Sequence, residues 1–199
     1  MSAFSDNDLP PDAIERARSG DVAAWEAIYC AFERPVFTLA RRLVPERAAA
    51  EDLAQDVFVE VLTRLGQYEG RGSFAGWVRA IAVNRCLSHL RSPWQRGLRW
   101  LDRAAGVDVD AALERPDETL RDGGDALDLE RAMARLPGTA RAVVWLHDVE
   151  GYTHAEIGKL FDATPSFSKS QLSRAHERLR DCLYERGEQT PCLPLSTNC

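Results

Sequence analysis

The chain has 199 residues, 45% of them hydrophobic and 28% charged, which is ordinary for a soluble protein of one or two packed domains. Its N-terminus, MSAFSDNDLPPD, has neither the basic start nor the apolar run of a secretory signal, and no stretch nears the roughly 18 apolar residues of a membrane helix. A cytoplasmic protein without membrane insertion is expected, and its net charge of −6 would argue against a nucleic-acid partner only if it were spread evenly.

It is not spread evenly. Residues 102–129 hold Asp102, Asp108, Asp110, Glu114, Asp117, Glu118, Asp122, Asp125 and Asp128 against Arg103, Arg115 and Arg121, a net of −6, so the two flanks together are neutral. Residues 71–101 carry Arg71, Arg79, Arg85, Arg91, Arg96 and Arg99 with no Asp or Glu. Local sign decides where a phosphate backbone can sit.

In chain order, helix-period apolar stripes recur and strand alternation is missing. Residues 13–19 and 22–32 read as two helical pieces around Ser19-Gly20-Asp21, with Asp21 an N-cap. A helix follows over 35–43 and stops before Pro45. A long helix covers 48–65, ended by Gly66, and the glycine-rich stretch 67–73 is a loop. Ser73 caps a helix over 74–91 that ends before Pro93. Residues 93–126, punctuated by Gly, Asp and Pro, read as a linker with a short helical patch at 111–114. Helices resume over 127–136, 139–149, 153–161 and 165–185. The expected fold class is all-α: a helical domain over 10–97, a flexible acidic linker over 98–126, a second helical domain over 127–186, and a tail over 187–199.

On a helical wheel the 48–65 helix puts Ala54, Val57, Phe58, Val61 and Leu65 on a core face, and Asp52, Gln55, Asp56 and Val59 opposite. An acidic strip around an apolar residue suits a basic partner surface with an apolar centre; the plainer reading is a solvated helix face. Downstream, Tyr68, Arg71, Ser73, Phe74 and Trp77 set aromatics beside glycines, and the next helix adds Arg79, Asn84, Arg85 and Arg91. Aromatics stack on unpaired bases, arginines pair with phosphates and Asn reads base edges. Phe74, Trp77, Val78, Ile81 and Leu87 belong mainly to the core by their spacing.

Residues 151–180 outline a helix-turn-helix. Thr153 caps the first helix, in which Ile157 and Leu160 are core. Thr164 caps the second and Pro165 takes its first position. Leu172, Ala175, Leu179 and Leu183 form its expected buried stripe. Ser166, Lys169, Ser170, Ser173 and Arg174 project from the half that enters a major groove, and Arg178 and Arg180 extend the positive surface. The plain alternative is a helical hairpin with a basic face.

Five cysteines, widely spaced and odd in number, argue against a disulfide framework. Cys30 and Cys86 fall in helical patterns where a buried thiol is the default. Cys182, Cys192 and Cys199, with His176, are candidate zinc ligands, though no CxxC pair is present. His89, His147, His154 and His176 lie on different elements with no evident catalytic partner, so an enzyme is not expected.

Taken together, AEDLAQDVFVEVL, YEGRGSFAGWVRAIAVNRCLSHLR, and LPGTARAVVWLHDVEGYTHAEIGKLF followed by TPSFSKSQLSRAHERLR resemble, in order, three regions of bacterial sigma factors of the extracytoplasmic-function (ECF) group of the sigma-70 family. The resemblance covers nearly the whole chain. It implies a promoter-specificity subunit without cofactor, working with core RNA polymerase (β′ clamp helices and β flap) and promoter DNA, and held by an anti-sigma factor. It implies core binding by Asp52, Leu53, Gln55, Asp56, Phe58 and Val59, with Leu53 and Phe58 supporting the surface. It implies −10 recognition and melting by Tyr68, Arg71, Ser73, Phe74, Arg79, Asn84, Arg85 and Arg91, with the 67–74 loop capturing a flipped base. It implies −35 recognition by Ser166, Phe167, Lys169, Ser170, Ser173, Arg174 and Arg178. The acidic linker would thread toward the RNA exit path. Ser88, where the family usually has an acid, and Phe167 and Ser168, where it has a small-polar and aliphatic pair, depart from the pattern, as does the cysteine-bearing tail. Two other readings are weighed: a stand-alone helix-turn-helix regulator, which leaves residues 71–101 unexplained, and a metal or thiol sensor acting through the C-terminal cysteines.

Overall fold

The computed structural model describes Phe4, Leu9 and residues 12–44, 46–91 and 124–187, with the backbone alone for 124–128 and 184–187. The expected 111–114 helix, most of the acidic linker, and Cys192 and Cys199 lie outside the described residues. Among the described residues every regular element is helical.

The first half holds α1 (Ala13–Arg18), α2 (Val22–Leu43), α3 (Arg47–Arg64) and α4 (Phe74–Leu90). Gly20, at φ 90, turns the chain between α1 and α2. Asp21 then caps α2, its carboxylate accepting from the backbone N–H of Ala23 at 2.9 Å and Ala24 at 3.2 Å. The same carboxylate accepts from Arg16 Nη2 at 2.6 Å, and this bond is the main cause that draws Asp21 below the ordinary carboxylate range.

The two expected pieces on either side of residues 33–34 are one helix. Pro35 sits inside α2, where a missing N–H and a ring clash cost about 3 kcal/mol. Phe32, Val36, Leu39 and Leu43 on the same face are 1% exposed or less. Full burial stabilises each by about 1.5–3 kcal/mol, so packing outweighs the proline. The buried face of α3 consists of Ala50, Leu53, Val57, Phe58 and Val61, with Leu65 following in a 3-10 turn, Leu65–Gln67; Ala54 is only half-buried. Helices α2, α3 and α4 pack pairwise around this core. Cys86 is inside it, its thiol pushed up to about 12 by burial. Cys30, expected buried, is exposed on the outer face of α2.

The second half holds α5 (Gly124–Ala134), α6 (Gly138–Val144), a π-turn (Trp145–Val149), α7 (His154–Leu160) and α8 (Pro165–Gly187). The single helix expected over 139–149 is therefore α-helical only in its first part. The wider turn is closed by Glu150 N–H donating to Trp145 C=O at 3.0 Å, and Tyr152 N–H reaches Leu146 C=O at 2.9 Å. Leu172, Ala175 and Leu179 bury α8 against α6 and α7. Leu183 does not continue that stripe; it is 40% exposed, beside Leu129 of α5 at 48%. Helix α6 also packs against α2 and α4, so one apolar core runs through both halves.

Candidate nucleic-acid interface

Three exposed surfaces emerge from this packing. On α3, Asp52, Gln55, Asp56 and Val59 are all exposed, and Leu62 extends the strip. Leu53 and Phe58 lie beneath it, buried; the Phe58 ring packs 4.6 Å from Tyr29. The polar residues and Val59 are thus the solvent-facing part of this surface, while the two apolar residues set the position of the helix.

The second surface joins the 67–74 loop to α4. Gly70 and Gly72 take positive φ of 75 and 80, which only glycine adopts without strain. The loop is folded back on itself, with Tyr68 hydroxyl donating to Gly72 C=O at 2.8 Å. It is tied to α1 by Arg18, which donates to Leu65 C=O at 3.1 Å and to Tyr68 C=O. Tyr68, Phe74 and Trp77 form one aromatic group with centroids 5.2–5.5 Å apart. Phe74 is buried within it and Tyr68 and Trp77 are half-buried, so Phe74 shapes the loop from below. Ser73 is committed as a cap, its hydroxyl accepting from Gly76 N–H at 3.0 Å. Arg71 is exposed at the surface and pairs with Glu69 at 3.0 Å.

Along α4, Ala80, Asn84 and Ser88 follow one another at the four-residue spacing and are all exposed. Such a row of short side chains leaves room for a strand to lie close to the helix. Arg85 flanks it and leans back toward α3, its Nε 3.8 Å from Asp56 and 3.5 Å from Glu60. Arg79 and Arg91 face the other way, toward the second half. Arg79 Nη1 lies 3.5 Å from the Glu150 carboxylate and donates to Glu150 C=O at 3.3 Å, while its guanidinium stacks 5.2 Å over the Tyr152 ring. Arg91 Nη1 donates to Leu160 C=O at 3.0 Å and to the Asp162 carboxylate at 2.7 Å. The site residues on α4 are thus split between two directions, which a linear reading does not reveal.

The third surface is the helix-turn-helix. Thr153 and Glu156 form a reciprocal capping box: Glu156 Oε2 accepts from Thr153 N–H at 2.8 Å, and Thr153 Oγ1 accepts from Glu156 N–H at 3.3 Å. The Thr153 N–H and hydroxyl, both donating to the Glu156 carboxylate, hold it below the ordinary carboxylate range. The turn passes through Asp162 at φ 52 and closes with Ala163 N–H donating to Gly158 C=O at 2.8 Å. Thr164 caps α8, its hydroxyl accepting from Phe167 N–H at 3.4 Å. Ser166, Lys169, Ser170, Ser173, Arg174 and Arg178 are all exposed on α8. Phe167 is half-buried against Phe161, 5.8 Å away, and belongs to the packing of the turn as much as to the surface.

Three histidines that the sequence places on separate elements, His147, His154 and His176, come together here. The rings of His147 and His154 stack at 4.5 Å. Asp148 bridges His147 at 2.8 Å and His176 at 2.7 Å, and His154 Nδ1 contacts Ser168 Oγ at 3.0 Å. Burial pushes Asp148 up, but the two imidazole hydrogen bonds outweigh it and its carboxyl lies below the usual range. His154 is drawn down, first by burial and then by the charges of His147 and Lys169. Ser168 is 0% exposed, so its hydroxyl is closed to any substrate and the cluster acts as a clamp between the π-turn, α7 and α8. Among the described residues no group of His, Cys, Asp and Glu has the arrangement of a metal site. No described helix is long and apolar enough to cross a membrane.

Known proteins with this pattern agree. Residues 28–96 match the family model of Sigma-70 region 2, and residues 126–179 match that of Sigma-70, region 4. The ECF RNA polymerase sigma factor SigE of Mycolicibacterium smegmatis is 32% identical over 190 residues, covering 92% of this chain and 72% of its own. The RNA polymerase sigma factor CarQ of Myxococcus xanthus is 30% identical over 172 residues, covering 86% of this chain and 96% of its own. The sigma factor RpoE of Bartonella quintana, solved in complex with the anti-sigma factor NepR, shares the fold with a TM-score of 0.56 at 21% identity, over 82% of this chain and 98% of that one.

Proposed function

The chain belongs to the ECF group of the sigma-70 family of RNA polymerase sigma factors, and from that premise we propose a division of labour among its three surfaces. The exposed strip Asp52, Gln55, Asp56 and Val59, seated on Leu53 and Phe58, docks on the β′ clamp helices of core polymerase. The 67–74 loop with Tyr68, Arg71, Ser73 and Phe74 captures a base flipped from the −10 element. Asn84, Arg79, Arg85 and Arg91 hold the opened strand. Helix α8 reads the −35 major groove with Ser166, Phe167, Lys169, Ser170, Ser173, Arg174 and Arg178. The working units are residues 10–97 and 127–186, with the acidic 98–126 segment between them and the 187–199 tail beyond. The chain works in the cytoplasm beside the polymerase, which performs the chemistry; this subunit supplies affinity, specificity and strand opening.

The observation that carries this reading is the coexistence of an acidic docking strip on α3 and a row of short side chains flanked by arginine on α4. A stand-alone duplex-binding regulator needs neither. The solved complex of the Bartonella quintana sigma factor with an anti-sigma factor supports control of this chain by a protein of that kind. In vitro transcription with core RNA polymerase and a genomic fragment library, with and without the chain, tests the proposal. Discrete starts that need the chain are expected, and their alignment gives both promoter elements. A two-fold symmetric duplex footprint without polymerase, and no new starts, would favour the regulator instead.

A further inference from the structure

The loop over residues 67–74 is held from both ends. Its far end is fixed by local chemistry: Ser73 caps α4 through the Gly76 N–H at 3.0 Å, and the buried Phe74 ring packs 5.7 Å from Phe32 of α2. Its near end is fixed by Arg18, the last residue of α1, which lies 50 residues before Tyr68 in the chain. Arg18 Nε donates to Leu65 C=O at 3.1 Å in a partly buried bond, Nη2 donates to Tyr68 C=O, and Nη1 pairs with Glu15, one turn back on α1. A guanidinium carries its donors in one rigid plane. Engaged on three sides, it fixes both carbonyls relative to α1, which is itself anchored by the buried Ala13 and Ala17. The Tyr68 hydroxyl reaches across the loop to Gly72 C=O at 2.8 Å, so the position set at Tyr68 is passed to the far limb. Between these ties Glu69, Gly70 and Arg71 form an exposed tip.

We propose that Arg18 is a positioning residue for base capture: by holding the Leu65 and Tyr68 carbonyls it presets the loop in the shape that receives the flipped base. The proposal rests on the base-capturing role of this loop. The gain is entropic. Gly70 and Gly72 stand at positive φ, and glycine loses more backbone freedom on ordering than any other residue. A loop that became ordered only when the base arrived would lose part of the stacking energy to that ordering, whereas a loop already ordered does not. Arg18 acts without touching DNA, and Glu15 matches its charge, so its effect depends on the forked geometry. Lysine, a compact ammonium on a flexible stem, keeps the charge and lacks the fork.

The test uses the full chain in holoenzyme with core RNA polymerase. The probes are single-stranded non-template −10 oligonucleotides taken from the mapped starts, each base in turn replaced by an abasic site. In the parent, one position should stand out with a loss of about tenfold or more, the stacking of one captured base. In Arg18→Ala that loss should shrink to about twofold, with core-polymerase affinity and the losses at other positions unchanged. Arg18→Lys should behave as Arg18→Ala does, and it serves alone if the alanine variant does not fold. An undiminished loss in Arg18→Ala overturns the proposal. So does its restoration in Arg18→Lys, which would make Arg18 a simple charge near the strand. A weakening of equal size for every probe would reduce Arg18 to a general support of the fold and overturns the proposal as well. Gly70→Val separates the underlying reading, since a β-branched residue strains the φ of 75 at the loop tip while nothing lies within 4 Å of its Cβ position. A loss abolished in Gly70→Val and kept in Arg18→Ala leaves the loop as captor and removes Arg18. A loss kept in both removes the loop from base capture, and the proposal with it.

Discussion

Asp56 and Arg85 face each other across the seam between α3 and α4, with Asp56 Oδ2 3.8 Å from Arg85 Nε. The acidic strip assigned to polymerase and the basic surface assigned to the −10 strand therefore share an edge. Both side chains reach solvent, 59% and 42% exposed, and the buried Arg85 Nε has no hydrogen-bond partner among the described residues, so this pair contributes less than about 1 kcal/mol to stability. Asp56 is exposed, and the fold does not depend on this pair. Asp56→Arg should leave the thermal midpoint within a few degrees of the parent and weaken core-polymerase binding about a hundredfold, because like charges set opposite each other in an interface cost several kcal/mol. Titration of labelled chain with core enzyme measures it, and parental affinity in the variant would remove Asp56 from the docking surface.

Arg174 is exposed on the same length of α8 as Ser170 and Ser173, with a buried stripe behind it. Arg174→Ala should weaken binding to a −35 duplex by about 1–3 kcal/mol and relax its sequence preference, with no change in midpoint. A uniform loss across all duplexes, with a shallower salt dependence, would reassign Arg174 to a phosphate contact.

Gly158 sits where the helix-turn-helix leaves no room for a side chain. A Cβ there would stand 2.9 Å from Ala163 O, 3.0 Å from Thr164 C and 3.1 Å from Pro165 N, all of them backbone atoms that cannot swing aside. Gly158→Ala should cost about 1–3 kcal/mol as an overpacked site and lower the thermal midpoint. Gly66→Ala is the control: nothing lies within 4 Å of its Cβ position, so that variant should match or slightly exceed the parent. A Gly158→Ala chain as stable as the control would show that the turn can open at little cost.

His154 is held below the ordinary imidazole value of 6.5, chiefly by burial. The unfolded chain therefore takes up a proton there more readily than the folded one, so acid favours unfolding. Stability linked to His154 is whole above 6.5 and declines as the pH falls from there toward the folded value. Asp148 is also depressed, but its share is whole above its ordinary value of 3.8 and goes only in stronger acid. The midpoint should fall between about pH 7.5 and about pH 5.5, and His154→Gln should flatten that slope. An equal slope in the variant would place the titrating group elsewhere.

Periodicity carried much of the helical outline because α3, α4 and α8 each bury one continuous stripe, and the caps at Asp21, Ser73, Thr153 and Thr164 are local chemistry that a sequence displays directly. Pro35 misled at α2 because its helix is held together by Phe32, Val36 and Leu39 pressing on other helices, a force that no local propensity contains. Cys30 and Leu183 misled for the complementary reason: an apolar residue on a helix is buried only where a neighbour covers that face, and both of these stay exposed.

By itself the sequence determined the helical class, the family and the three segments to which binding is proposed, since each depends on residues close together in the chain. Only the tertiary structure decided which way each arginine of α4 points, that Phe74, Leu53 and Phe58 support their surfaces from within, and that His147, His154 and His176 share one cluster. Those outcomes depend on partners such as Arg79 and Glu150, which are 71 residues apart. Pairing across such a distance is settled by how whole helices pack, because a side chain's direction is fixed by its helix and its partner is whatever that packing delivers.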